Sequence, residues 1–185
     1  MIKLLNEEYL YYCLDVAASE TRVSGTTPLS GEAQKENFKK FFTDVDKYSV
    51  IGYFDNEKLV SWIILGFYDT EKYGKFWVIT NLFSTNKREF FNFVNPEISE
   101  LMRAAFMQAE ERGFFKYFYC VSERISKVYE KQWGKRNPLN YHGVYKLEDV
   151  AVIPANTVPE SELFWGLMGR EIRPHDMYIK ARIKR

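Results

Sequence analysis

The sequence predicts a mixed α/β fold in which a mostly antiparallel sheet is covered by helices. Two strand-like runs flank the short polar segment DNEK at 55–58, which predicts an antiparallel hairpin. A helical pattern at 95–114 is followed at once by another strand-like run, which predicts a helix that crosses over the sheet. No Pro-, Gly- or Ser-rich linker divides the chain, so we expect a single domain over 1–185.

The N-terminal third predicts one short strand and two helices. The run MIKLL at 1–5 is a candidate strand. The segment at 6–20 has Asn6 as a candidate N-cap, glutamates in its first turn and apolar residues at helical spacing. The composition of 21–31 is typical of a loop. The segment at 32–45 predicts a second helix with three phenylalanines on one face.

The rest of the chain predicts strands that alternate with helices. The run KFWVITNLFST at 75–85 predicts a third strand after the hairpin. The helix at 95–114 has Pro96 in its first turn, one apolar stripe along its length, and Gly113 at its end. Four further segments follow the same patterns: a strand at 114–121, a helix at 122–135, and strands at 142–155 and 175–185.

Composition and charge argue against several classes of function. The formal net charge is +1, so no global field recruits nucleic acid or an anionic membrane. No window reaches the ~18 apolar residues of a membrane span, and the N-terminus lacks the pattern of a signal peptide. We therefore expect a cytoplasmic protein with neither a nucleic-acid nor a membrane partner.

The residues that most often carry metal or nucleophilic chemistry are sparse. Cys13 and Cys120 lie in apolar surroundings and are expected to be core residues. His142 and His175 lack neighbouring ligands at metal spacing, so we expect no metal site. The motifs GxSxG and GxxxxGK[ST] are absent, which leaves serine-hydrolase and P-loop functions without support.

Two segments point to a known family. The first is the helix and strand at 96–121, where an apolar pair, a small residue and a terminal glycine occur at spacings typical of one enzyme family. The second is VYEK at 128–131, which is similar to that family's Tyr-Glu-Lys. The matching helix positions are Leu101, Met102, Ala109 and Gly113. Together with the order of elements, these residues resemble the GNAT-type, acyl-CoA-dependent N-acetyltransferases over nearly the whole chain. The resemblance implies an α/β fold with a mixed, mostly antiparallel central sheet and helices on both faces.

The resemblance also implies acetyl-CoA or a related acyl-CoA as the acyl donor. In that family, main-chain groups of the fourth strand pair with the pantetheine arm, and amides at the start of the central helix hold the pyrophosphate. The corresponding strand here is TNLFST at 80–85, with Phe83, Ser84 and Thr85 nearest the thioester. Ser122 occupies the place where the family often has Asn at the end of the next strand.

The start of the central helix departs from the family pattern. The family has Arg or Gln at the first position of the pyrophosphate loop, Gly at the fourth, and Gly or Ala at the sixth. At these three positions this chain has Phe93, Pro96 and Ile98, respectively. Side chains at such positions obstruct a close approach of phosphate, and Pro96 removes an N–H donor. Glu97 adds a negative charge where the ligand is negative.

The connection before this helix is longer than the family loop and offers other phosphate contacts. It carries Lys87, Arg88 and Asn95, whose side chains are our candidates for binding the donor's phosphates. The alternative is a solvated loop.

Tyr129 is the candidate general acid. The resemblance implies that its O–H protonates the thiolate after an amine attacks the thioester. The alternative is an amphipathic tyrosine that packs beside Ile125 and Val128 on a buried helix face. No carboxylate stands out as a base, and water relayed by main-chain carbonyls is our candidate.

Two functions from different classes remain. The first is transfer of an acetyl or acyl group from an acyl-CoA-like thioester to a primary amine, so the partners would be an acyl donor and an amine acceptor. The second is a non-catalytic GNAT-like scaffold that binds another ligand or a protein. In either case, terminal strands of this fold offer a route to a homodimer.

Overall fold

The computed structural model describes most of the chain. The described ranges are 1–19, 32–71, 74–85, 96–122, 146–157 and 176–184. Two compact units are distinguished, one formed by Met1–Phe67 with Ile79–Ala105 and the other by Tyr68–Val78 with Phe106–Arg185. The single domain expected over 1–185 stays a prediction.

Within the described ranges, seven strands and three α-helices form. They are β1 (Ile2–Leu4), α1 (Leu10–Ser19), α2 (Glu32–Thr43), β2 (Tyr48–Asp55), β3 (Lys58–Thr70), β4 (Gly74–Ser84), α3 (Pro96–Glu111), β5 (Lys116–Ser122), β6 (Lys146–Pro154) and β7 (Asp176–Lys184). The strands hydrogen-bond in the order β1-β2-β3-β4-β5-β7-β6. The pairs β1–β2, β2–β3, β5–β7 and β6–β7 are antiparallel, and β4–β5 is parallel. The prediction of a mixed, mostly antiparallel sheet with helices is confirmed. The segments at 21–31 and 122–135, read as a loop and a helix, lie outside the described residues except for Ser122.

In the first unit, the N-terminal segment begins as the sequence predicts. The side chain of Asn6 accepts a hydrogen bond from the N–H of Glu8 at 3.2 Å, which satisfies one of the otherwise unpaired amides at a helix start. The helix differs from the prediction in one respect, because a short 3-10 helix over Glu7–Tyr9 precedes α1.

The first unit has an apolar core that buries side chains of α1, α2 and the strands. Its buried members are Leu5, Leu10, Cys13, Leu14, Phe38, Phe42, Val50, Phe54, Leu59, Trp62, Ile64 and Phe83. Cys13 is confirmed as a core residue, and burial raises the pKa of its thiol to about 12. Gly52 has no room for a side chain, since an added Cβ would lie 2.7 Å from Leu59 Cδ1.

The predicted hairpin of β2 and β3 turns through two residues with left-handed backbone conformations. Asp55 pairs with Lys58, and between them Asn56 has φ 46° and Glu57 has φ 67°. Two-residue turns of this kind match the twist of the strands and favour Asn followed by Gly. Glutamate is therefore the strained residue of this turn, because its Cβ crowds the backbone there.

We expect Glu57→Gly to raise the free energy of unfolding by about 0.5–1 kcal/mol, because glycine adopts a positive φ without strain. Urea denaturation measures the change. Glu57→Ala removes the same charge and keeps a Cβ, so it should bring no such gain. An equal gain in both variants would assign the effect to charge and contradict the strain argument.

In the second unit, α3 ends and β5 begins through a glycine turn. Gly113 has φ 78°, its N–H donates to the carbonyl of Glu110 at 2.9 Å, and the N–H of Phe114 donates to the carbonyl of Ala109 at 2.8 Å. This arrangement pairs carbonyls that a helix end leaves unsatisfied. The sequence prediction that Gly113 ends the helix is confirmed.

Candidate functional site

The C-terminal end of β4 is anchored by aromatic packing in the first unit. Phe83 is 1% exposed and stacks on Trp62, with ring centroids 4.1 Å apart and planes 13° apart. Trp62 Nε1 also donates a hydrogen bond to Asn81 Oδ1 at 3.1 Å. The side chain of Phe83 therefore belongs to the core and is not exposed to a ligand.

Hydrogen bonds to β3 determine which way the main chain of β4 faces. The N–H of Thr85 donates to the carbonyl of Val60 at 3.0 Å, and Thr85 Oγ1 donates to the same oxygen at 3.1 Å. Main-chain groups of successive residues in a strand point to opposite sides. Those of Leu82 and Ser84 therefore point away from β3, whereas the N–H of Thr85 is already used within the sheet.

Ser84 joins the end of β4 to the start of α3. Its side chain is buried, and Oγ donates to Glu97 Oε1 at 2.7 Å. Glu97 lies in the first turn of α3, which begins at Pro96, and a carboxylate there is stabilised by the positive end of the helix dipole. The charge of Glu97 is thus held at the helix start by the strand.

The Tyr53 phenol is influenced by Glu97 and by two further carboxylates. The pKa of Tyr53 is raised by burial and, in decreasing order, by the negative charges of Glu100, Asp55 and Glu97. The three carboxylates act in the same direction on Tyr53, and each favours the neutral form of the phenol.

Ser61 adds a buried hydroxyl to the same face of the sheet. It lies directly opposite Tyr53 in the β2–β3 register, and the bond between Thr85 and Val60 places Ser84 opposite it on the other side. Ser61 is fully buried, and its Oγ has no hydrogen-bond partner within the part of the chain that the structure describes. A polar row thus crosses three strands, and Ser84 at one end of it bonds Glu97 of α3.

The predicted site residues divide into three groups. Phe83, Ser84 and Thr85 lie together at the end of β4, beside Glu97. Ser122 is the last residue of β5 and pairs with Asp176 of β7. Lys87, Arg88, Asn95 and Tyr129 lie outside the described residues, as does Phe93. Their roles, and that of Ser122, stay predictions.

One expectation about the helix start is wrong. Ile98 was expected to obstruct a phosphate, but its side chain is fully buried and faces the core. It belongs to the apolar stripe of α3, together with Leu101, Met102 and Ala105. Glu97 remains as the described side chain that brings negative charge to the helix start.

Across the described ranges, no three His, Cys, Asp or Glu side chains lie together as metal ligands. Among the helices that the structure describes, none is both long and apolar enough to cross a membrane.

The solved structures to which this chain is similar include acetyltransferases. The acetyltransferase of the GNAT family from Streptococcus pneumoniae is 12% identical, with 99% of this chain and 98% of that chain covered and a TM-score of 0.59. The PaiA N-acetyltransferase from Thermoplasma acidophilum in complex with coenzyme A is 12% identical, with 98% of each chain covered and a TM-score of 0.53.

A third similar structure is the predicted acetyltransferase with acetyl-CoA from Clostridium acetobutylicum. It is 16% identical, with 71% of this chain and 86% of that chain covered and a TM-score of 0.55. No protein-family profile and no curated protein sequence matches the chain. The chain has the fold of the GNAT acetyltransferases, which confirms the predicted resemblance at the level of the fold.

Proposed function

We propose that this protein transfers an acyl group from an acyl-CoA-like thioester to a primary amine. The observation that carries the proposal is the GNAT acetyltransferase fold over nearly the whole chain. Two of the similar structures contain coenzyme A or acetyl-CoA, which supports a pantetheine thioester as the donor. The cytoplasmic location and a homodimer are part of the same proposal.

The donor is bound, in this proposal, by the main chain at the end of β4. Amide groups of a pantetheine arm pair with the main-chain groups of Leu82 and Ser84, which point away from β3. The Trp62–Phe83 stack holds this segment rigid, so that little conformational entropy is lost when the donor binds. Lys87 and Arg88, with Asn95, are the proposed contacts to the donor's phosphates.

The chemistry is a nucleophilic acyl substitution. The neutral amine attacks the thioester carbonyl, a C–N bond forms, and the carbonyl oxygen takes up negative charge that strand N–H groups stabilise. The C–S bond then breaks. Tyr129 gives its proton to the departing thiolate, and the proton lost by the amine nitrogen passes through water to restore the phenol.

The test is amine-dependent release of free thiol from an acyl thioester. Acetyl-CoA and S-acetyl-pantetheine are each supplied with a panel of primary amines, and thiol is measured against time with and without protein. We expect thiol release that requires both an amine and the folded protein. Binding of the thiols without any amine-dependent release would contradict the enzymatic proposal and favour a non-catalytic scaffold.

A further inference from the structure

We propose that Glu97 is a specificity-determining residue that opposes the diphosphate of coenzyme A, so that the donor is recognised mainly through its acyl-pantetheine arm. This inference rests on the proposed function, because it concerns the donor of that reaction. The start of α3 then favours thioester donors that carry few phosphate charges over donors that carry many.

The carboxylate of Glu97 is fixed in position at the start of α3. Glu97 Oε1 lies 2.7 Å from Ser84 Oγ, and Ser84 is the last residue of β4. A hydrogen bond from a buried hydroxyl to a carboxylate is short and strong. Moving the carboxylate aside for a phosphate would cost that hydrogen bond, so the charge stays at the helix start.

A second acidic residue follows Glu97 on α3. Glu100 lies one turn further along α3 and is exposed, and Asp55 ends β2. The carboxylates of Glu97, Glu100 and Asp55 all raise the pKa of the Tyr53 phenol. A diphosphate at the start of α3 would meet the like charges of Glu97 and Glu100, and like charges disfavour each other's ionised forms.

The main-chain amides at the start of α3 are the remaining groups that could attract a phosphate. The start of an α-helix attracts anions because its first N–H groups lack partners and the dipole is positive there. In α3 the first residue is Pro96, which has no N–H, and Glu97 already supplies a negative charge. The helix start therefore has less attraction left for a ligand phosphate.

The consequence is an order of preference among donors. S-acetyl-pantetheine carries no phosphate, acetyl-4′-phosphopantetheine carries one, and acetyl-CoA carries a diphosphate and a further phosphate. Any contacts of Lys87 and Arg88 with phosphates would partly offset the repulsion but would not remove its source. Glu97→Gln removes the charge and keeps an oxygen that accepts from Ser84, so the local structure should survive.

The experiment compares these three donors in the wild type and in Glu97→Gln with one amine acceptor. For Glu97→Gln we expect kcat/KM to rise about tenfold with acetyl-CoA, roughly threefold with acetyl-4′-phosphopantetheine, and less than about twofold with S-acetyl-pantetheine. The gain with acetyl-CoA should shrink at about 1 M salt, where exposed charges are screened within about 3 Å. Glu111→Gln is the matched control, since it makes the same change at the other end of α3, where we expect no donor-dependent gain.

Calorimetry measures the binding of the three free thiols, which are coenzyme A, 4′-phosphopantetheine and pantetheine. This measurement tests the inference separately from catalysis. A gain in coenzyme A affinity for Glu97→Gln, without a gain for pantetheine, supports the inference even when no acyl transfer is detected, and that result would contradict only the proposed function. Equal effects on all three ligands, or none on coenzyme A, would overturn the inference whether or not transfer occurs.

Discussion

Replacing Tyr129 with phenylalanine should lower kcat by about 10²–10⁴-fold, the usual contribution of a positioned general acid. The thiolate is the leaving group of the proposed reaction, and without a proton donor it leaves as a free anion. Phenylalanine keeps the ring and removes only the hydroxyl, so the free energy of unfolding should change little. Steady-state kinetics and urea denaturation of the same variant measure the two quantities.

The outcome for Tyr129 separates two interpretations of the segment VYEK. Tyr11→Phe is the matched control, because Tyr11 is 70% exposed on α1 and has no proposed part in the reaction. A loss of turnover for Tyr129→Phe with unchanged donor affinity supports proton donation. Unchanged turnover would leave Tyr129 as a packing residue and return the general acid to water or to another side chain.

Trp62→Ala should lower the free energy of unfolding by about 3–5 kcal/mol, as large-to-small changes of buried aromatic residues do. Trp62 is fully buried, stacks on Phe83 and bonds Asn81, so its removal leaves a cavity and breaks the stack beside the proposed donor strand. Calorimetry or urea denaturation measures the loss.

Two matched variants divide the effect of Trp62 into its parts. Trp62→Phe keeps an aromatic ring against Phe83 and removes the N–H donor to Asn81, so we expect a smaller loss than for alanine. Tyr11→Ala, at an exposed position, should stay within about 0.5 kcal/mol of the wild type. A loss below about 1 kcal/mol for Trp62→Ala would contradict the role of the stack in holding the end of β4.

Local signals account for the parts of the fold that were predictable. The segment DNEK specifies its own turn, Asn6 caps the helix that follows it, and Pro96 and Gly113 bound α3. Each of these depends on the conformational preference of a few adjacent residues. The turn, the helix cap and the ends of α3 can therefore be predicted from the sequence without knowledge of distant contacts.

The candidate site depends on contacts that no local pattern encodes. Ser84 and Glu97 are 13 residues apart, and their hydrogen bond exists only because the end of β4 and the start of α3 meet in the fold. The position of β7 between β5 and β6 is likewise a tertiary outcome.

At Ile98 the sequence supports two interpretations, a buried helix position and a position in a phosphate-binding loop. Its spacing with Leu101, Met102 and Ala105 indicates a buried stripe, whereas alignment with the family loop made it an obstacle to phosphate. The structure buries Ile98 completely, so helical periodicity was the better guide at this position.

The central claim is that this fold still carries out acyl transfer, and the most direct test follows the acyl group itself. Protein is incubated with a primary amine and S-[13C]acetyl-pantetheine or [13C]acetyl-CoA, and mass spectrometry measures the labelled amide. We predict a labelled amide whose amount equals the thiol released and which is reduced in Tyr129→Phe. Thiol release without labelled amide, or no reaction with either donor across the amine panel, would contradict the claim.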